Sequence, residues 1–145
     1  MANVKEIAGR GAELYNQGKL DEWAATWAED IEFVSPMSGP LKGRQAVKGY
    51  FAQGRQGFPD AKVTIQRMVV EGNVIVIEYT VAGTNTGPLA MPTGDTIPAT
   101  NRPFKIPSVD IATYDESGKV TSLHQYMDIA GALQQLGLMP APARA

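Results

Sequence analysis

The sequence contains no cysteine. That removes disulfides, thiolate metal sites and cysteine nucleophiles together, leaves any chemistry to oxygen and nitrogen groups, and fits a reducing, cytoplasmic setting. A single histidine excludes a multi-histidine metal centre and gives a Ser-His-Asp triad little to be built from, so no metal is expected. No glycine-rich phosphate loop is present. Nor is there an excess of positive charge. The 13 Lys and Arg residues are scattered against 15 Asp and Glu, for a net charge of −2, so nothing tracks a phosphate backbone and nucleic acid is not an expected partner. Long apolar runs are missing too. The strongest, Val74 to Tyr79, falls far short of the roughly 20 residues that cross a bilayer. Lys5, Glu6 and Arg10 interrupt the N-terminal stretch where an export signal needs an apolar core. A soluble chain with no membrane association is expected.

What is present is ordinary globular composition, 43% hydrophobic and 19% charged over 145 residues, which suits one domain with one core and an irregular tail from about residue 139. Val4, Ile7, Ala8, Gly11, Leu14 and Tyr15 recur at helical spacing, so residues 3–17 read as an amphipathic helix stopped by Gly18. A second helix is expected from Asp21, as its N-cap, to about Asp30, with Trp23 and Trp27 one turn apart. Ile31 to Val34 reads as a strand, 35–43 as a loop, and a third helix follows from Arg44 until Gly54, Gly57 and Pro59 end it. The pattern then turns to strands. Residues 61–70 and 73–81 form a hairpin about Glu71-Gly72, 83–103 a loop-rich crossing, and 104–114 and 119–127 a second hairpin about 115–118. A short helix from Asp128 to Leu136 ends at Gly137. The order predicts an α+β fold: one curved antiparallel sheet with three N-terminal helices over one face and an apolar pocket between the layers.

Five stretches carry a family pattern: WAEDIEFVSP at 27–36, FPDA at 58–61, VAGTNTGPL at 81–89, PTGD at 92–95 and HQYMDIAGALQQLGL at 124–138. Together they resemble the SnoaL-like polyketide cyclases, whose cone-shaped fold is shared with nuclear transport factor two. The resemblance implies a cofactor-independent lyase, cyclase or isomerase that moves a proton with a carboxylate on a small, largely apolar, polyketide-like carbonyl compound. The carboxylate that matches is Asp128. The same fold also serves non-catalytic binding and dimerisation modules, which stand as the alternative, and epoxide hydrolases, whose Arg between two Asp residues cannot be assigned here. Two positions depart from relatives. Asn85 stands where many have histidine, and Ser35 where ketosteroid isomerases carry their base.

Strand alternation suggests a face for the site. With an even-length turn at 115–118, Tyr114 opposes Lys119, and His124, Tyr126 and Asp128 share a face with Val109, Ile111, Pro107 and Lys105. Read as the pocket wall, that face makes Asp128 and His124 the candidate catalytic residues, with Tyr126, Asn85, Trp27, Val109 and Ile111 as substrate-binding ones. Asp128 can equally be the N-cap of the following helix. His124 and Tyr126 can equally be hydrogen-bonded core residues. Asp110 falls on the other face. There Phe104, Ile106 and Met127 suggest an outer surface on which the chain forms a homodimer.

Overall fold

Three helices and a strand-rich half follow one another as expected in the computed structural model, which describes residues 3–91 and 93–140. Helix α1 (Val4–Asn16) starts at Asn3, whose side chain accepts a hydrogen bond from the Glu6 amide. Its buried stripe is Val4, Ala8, Gly11 and Leu14. Gly11 is there because Trp23 packs directly on it: a Cβ would come within 2.9 Å of Trp23 Nε1. Helix α2 (Leu20–Ala24) is only five residues long. Lys19 occupies its N-cap and Asp21 its first turn, so the expected Asp21 cap and the extension to Asp30 are not found. The chain is already extended at Trp27, which opens β1 (Trp27–Ser35). Trp23 and Trp27 still meet, ring centroids 4.9 Å apart, but across a helix-to-strand junction.

Strand β2 (Gly39–Lys42) folds back on β1 within the segment read as a loop, and α3 (Arg44–Gly57) follows. Then come β3 (Lys62–Glu71), β4 (Val74–Thr84), the short β5 (Leu89–Ala90) and β6 (Thr96–Ile97), β7 (Pro103–Tyr114), β8 (Val120–Met127) and α4 (Ile129–Gln135). Six strands form one curved sheet in the order β2-β1-β8-β7-β4-β3, while β5 and β6 pair with each other. The sheet is mixed and not wholly antiparallel. β1 runs parallel to β8, with Phe33 beside Leu123 and Val34 beside His124. No described helix is long and apolar enough to cross a membrane.

The β7–β8 hairpin decides which side chains face the helices. Tyr114 pairs with Val120 and not with Lys119, and a bulge follows, so that Thr113 pairs with Ser122, Ile111 with His124 and Val109 with Tyr126. The register has moved two residues from the tight-turn expectation. A shift of two preserves the alternation, so the residues expected to share a face do share it. That face, however, is the outer one. Phe104, Ile106, Ala112, Tyr114, Leu123 and Gln125 are buried against the helices, whereas Tyr126 on the other face is 55% exposed. The residues that suggested a dimer surface, Phe104, Ile106 and Met127, line the interior.

Asn85 pins the crossing segment to the sheet. It is fully buried, and its Nδ2 donates to the carbonyls of Gly57 and Gly87 at 3.1 and 3.0 Å. Its Oδ1 accepts from the amide and hydroxyl of Thr100 at 2.8 and 2.9 Å. All four contacts are to neighbouring chain, so the side chain is spent on structure. Asn85→Ala removes four hydrogen bonds and leaves the Gly87 carbonyl and the Thr100 amide without partners among the described residues, while the Gly57 carbonyl keeps the Gly87 amide and the Thr100 hydroxyl keeps the Arg102 amide. The cost is expected to be about 2 to 4 kcal/mol, and the urea midpoint measures it.

Candidate functional site

Between the sheet and α1, α3 and α4 lies a cavity of about 650 Å³, in the size range of small-molecule sites. Its wall is overwhelmingly apolar and aromatic, as the alternation of β4 and β7 requires: Ile77, Tyr79 and Val81 from one strand, Phe104, Ile106 and Ala112 from the other. Asp110 is the one charged side chain in that wall among the described residues. It breaks the apolar alternation of β7, and its accessible surface faces the cavity.

Neighbouring strands hold Asp110 in place. On β7 it pairs with Ile77 of β4 and with Gln125 of β8. One pleat further along β4, Tyr79 reaches diagonally across, and its hydroxyl donates to Asp110 Oδ1 at 2.8 Å. Burial in apolar surroundings pushes the Asp110 carboxyl up to about 7; Tyr79 and Gln125 favour the ionised form but offset only part of that cost. Burial also raises Tyr79, and the adjacent Asp110 raises it further. Tyr114 is pushed up to about 12 by burial and then by Asp110. Tyr50 of α3 is raised mainly by burial, with Ser35 acting against the rise and Tyr15 and Asp110 adding to it. Four of the five tyrosines, at 15, 50, 79 and 114, thus line the cavity. The buried Ser108 hydroxyl, across from Tyr79, makes no hydrogen bond of ordinary geometry among the described residues.

The residues expected from sequence are placed differently. Of them, Trp27 lines the cavity, at 1% exposure. Val109, Ile111, His124 and Tyr126 lie together as expected, but on the outer face of the sheet, away from the cavity. Asp128 is exposed and caps α4, its Oδ1 accepting from the Gly131 amide at 2.9 Å. Asn85 serves the backbone contacts described above. The missed residue is Asp110. Its signal was legible as a lone carboxylate in the series Phe104, Ile106, Ser108, Asp110, Ala112, Tyr114, the bulkier and more apolar of the two faces of β7. No three His, Asp or Glu side chains come together as metal ligands would need among the described residues.

A curved sheet closed by helices around an apolar cavity is the arrangement of the nuclear transport factor two-like fold. A SnoaL-like domain model matches residues 9–123, and the chain belongs to that family. No curated protein matches it. Among solved structures, a protein of Jannaschia sp. CCS1 assigned to the SnoaL-like polyketide cyclases superposes with a TM-score of 0.82 at 20% identity, covering 94% of this chain and 93% of that one. AclR of Streptomyces galilaeus, assigned as a hydroxylase, gives 0.81 at 20% identity over 97% of this chain and 85% of its own. IdmH of Streptomyces antibioticus, assigned as a polyketide cyclase, gives 0.77 at 21% identity over 94% and 99%. At these identities the likeness is one of fold.

Because the folded state holds the Asp110 proton up to about pH 7 and the unfolded chain releases it near the ordinary carboxylate value, the Asp110 contribution to stability is complete below about pH 4 and is lost as pH rises to 7. Asp110→Asn removes this dependence. The variant is expected to gain stability relative to the native chain across that window and to hold a constant difference above it, as urea unfolding at a series of pH values will show.

Proposed function

We propose that the chain is a cofactor-independent acid/base catalyst, a lyase, cyclase or isomerase, acting on a small and largely apolar carbonyl compound, with Asp110 as the group that moves the proton. The observation that carries this reading is the lone carboxyl in an apolar cavity, poised near pH 7 and oriented by Tyr79. A carboxyl with that affinity is present in both forms at neutral pH. It can take a proton from carbon next to a carbonyl and return one to carbon or oxygen, the requirement of an aldol closure or a double-bond shift. The apolar wall supports the reading twice. It takes up the hydrocarbon frame of the substrate, and it removes the water that would otherwise hold Asp110 ionised. Membership of the SnoaL-like family supports the same reaction class.

Asp110 and Asp128 are separable in one experiment. Asp110→Asn is expected to keep the fold and lower turnover by roughly 10² to 10⁴ on a true substrate. Asp128→Asn keeps an adequate N-cap and is expected to leave turnover near normal. The pH–rate profile of the native chain should show an apparent pKa near 7. Full turnover by Asp110→Asn with loss in Asp128→Asn returns the role to Asp128. Saturable binding without turnover on any carbonyl compound of the class leaves a non-catalytic binding module of the same fold.

Homodimer formation is proposed on a different surface from the one first read. Val34, at 36% exposure, lies beside His124 on the outer face of the sheet, with Tyr126 two residues further along β8. Light scattering at micromolar concentration is expected to give twice the mass of the 15.6 kDa chain, and Tyr126→Glu to reduce it to the monomer.

A further inference from the structure

Asp110 is not the only polar group turned to the cavity. Tyr50 lines it from α3, its ring packed against Phe33 and Phe51 with centroids 5.0 and 5.2 Å apart. The Tyr50 hydroxyl lies 2.9 Å from Ser35 Oγ, and either oxygen could be the donor on distance alone. Hydrogen-bond accounting around Ser35 decides between them. Ser35 is 2% exposed, and its Oγ already accepts from the Met37 amide at 3.2 Å. Its own proton has no acceptor other than the Tyr50 oxygen among the described residues. Were Tyr50 the donor, Ser35 would accept twice and leave a buried proton unpaired, the costlier arrangement. Ser35 therefore donates to Tyr50, and the Tyr50 proton is left without an acceptor among the described residues, free to reach into the cavity.

We infer that Tyr50, oriented by Ser35, donates a hydrogen bond to a second oxygen of the ligand, so that the cavity selects apolar ketones carrying a further oxygen acceptor over otherwise matched ketones without one. This rests on the reading of Asp110 as the group that moves the proton at the carbonyl end of the ligand. Two donors on different elements of an apolar cavity, with no cation in the described wall, suit a neutral ligand with two separated oxygens. They do not suit a carboxylate or phosphate. Tyr50 is then a specificity residue and Ser35 a positioning residue.

Both tryptophans of the chain, Trp23 and Trp27, line the cavity, so their fluorescence reports its occupancy. The probes are α-tetralones carrying a methoxy group at each free position of the aromatic ring, each compared with the ethyl-α-tetralone of the same shape, whose side chain cannot accept. At one ring position or more, the methoxy compound is expected to bind roughly three- to tenfold more tightly than its ethyl counterpart, the worth of one neutral hydrogen bond. Tyr50→Phe, which keeps the ring and its packing, is expected to abolish that preference while leaving the ethyl compound's Kd unchanged. Ser35→Ala should reduce the preference, again without moving the ethyl compound.

Equal binding of every methoxy and ethyl pair by the native chain overturns the inference, as does a Tyr50→Phe variant that weakens both members alike. Asp110→Leu separates the two readings. If it weakens all the ketones while no methoxy preference exists, the Asp110 reading stands and the Tyr50 inference fails. If it changes nothing while the Tyr50-dependent preference is present, the reverse holds. Absence of saturable quenching by every probe overturns both.

Discussion

The hydrogen bond from Tyr79 to Asp110 is what allows a carboxyl to sit on the inside of an apolar cone. An unpartnered carboxylate there would cost far more than the packing of one strand could return, whereas a carboxyl that is held by a phenol and can keep its proton is tolerable. Asp110 and its supporting groups lie on three adjacent strands, Tyr79 on β4, Asp110 on β7 and Gln125 on β8. The arrangement therefore ties the site to sheet register. Sliding β7 by one residue would turn Asp110 to solvent and replace it in the cavity with an outward side chain, and would also strip Tyr79 of its acceptor. Site and sheet specify each other.

The cavity divides its labour between layers. The sheet brings the titrating carboxyl and the groups that hold it, on rigid strands where position is well defined. The helices bring apolar volume and, through Tyr50, a donor whose aim is set by Ser35 on the neighbouring strand. A scaffold of this kind can carry different side chains in its cavity, and so different chemistry. That accords with structures of similar shape that are assigned as a hydroxylase in one case and as polyketide cyclases in others.

Much of the fold was legible because periodicity is a local signal. The N-terminal helix, the helix from Arg44 and both long hairpins stand within a few residues of where their spacing places them. The parallel pairing of β1 with β8 was not legible, since no local pattern records which distant strand will be a neighbour. The site failed for a different reason. Alternation sorts Val109, Ile111, His124 and Tyr126 onto one face correctly, but the titratable chemistry of His124 and Asp128 points to the wrong face as the inner one, where apolar bulk points to the right one. Phe104, Ile106 and Tyr114 outweigh Lys105, Pro107 and Val109 in apolar volume, and burial follows volume. Asp128 drew attention because it stands next to the motif, yet the following turn of helix supplies all the reason for an acidic residue there.

The pairing of β1 with β8 has a consequence for the order in which the molecule can be made. Phe33 cannot find Leu123 until nearly the whole chain has left the ribosome, so the first strand waits, unpaired on that side, for the last. The hairpin of β3 and β4 can form early, with α1 already made and able to pack on it, but the β4 edge stays unpaired until β7 emerges. The unpaired β4 edge is then the part of the sheet most open to off-pathway association in the nascent chain, and β8 followed by α4, both of which line the cavity, completes the enclosure.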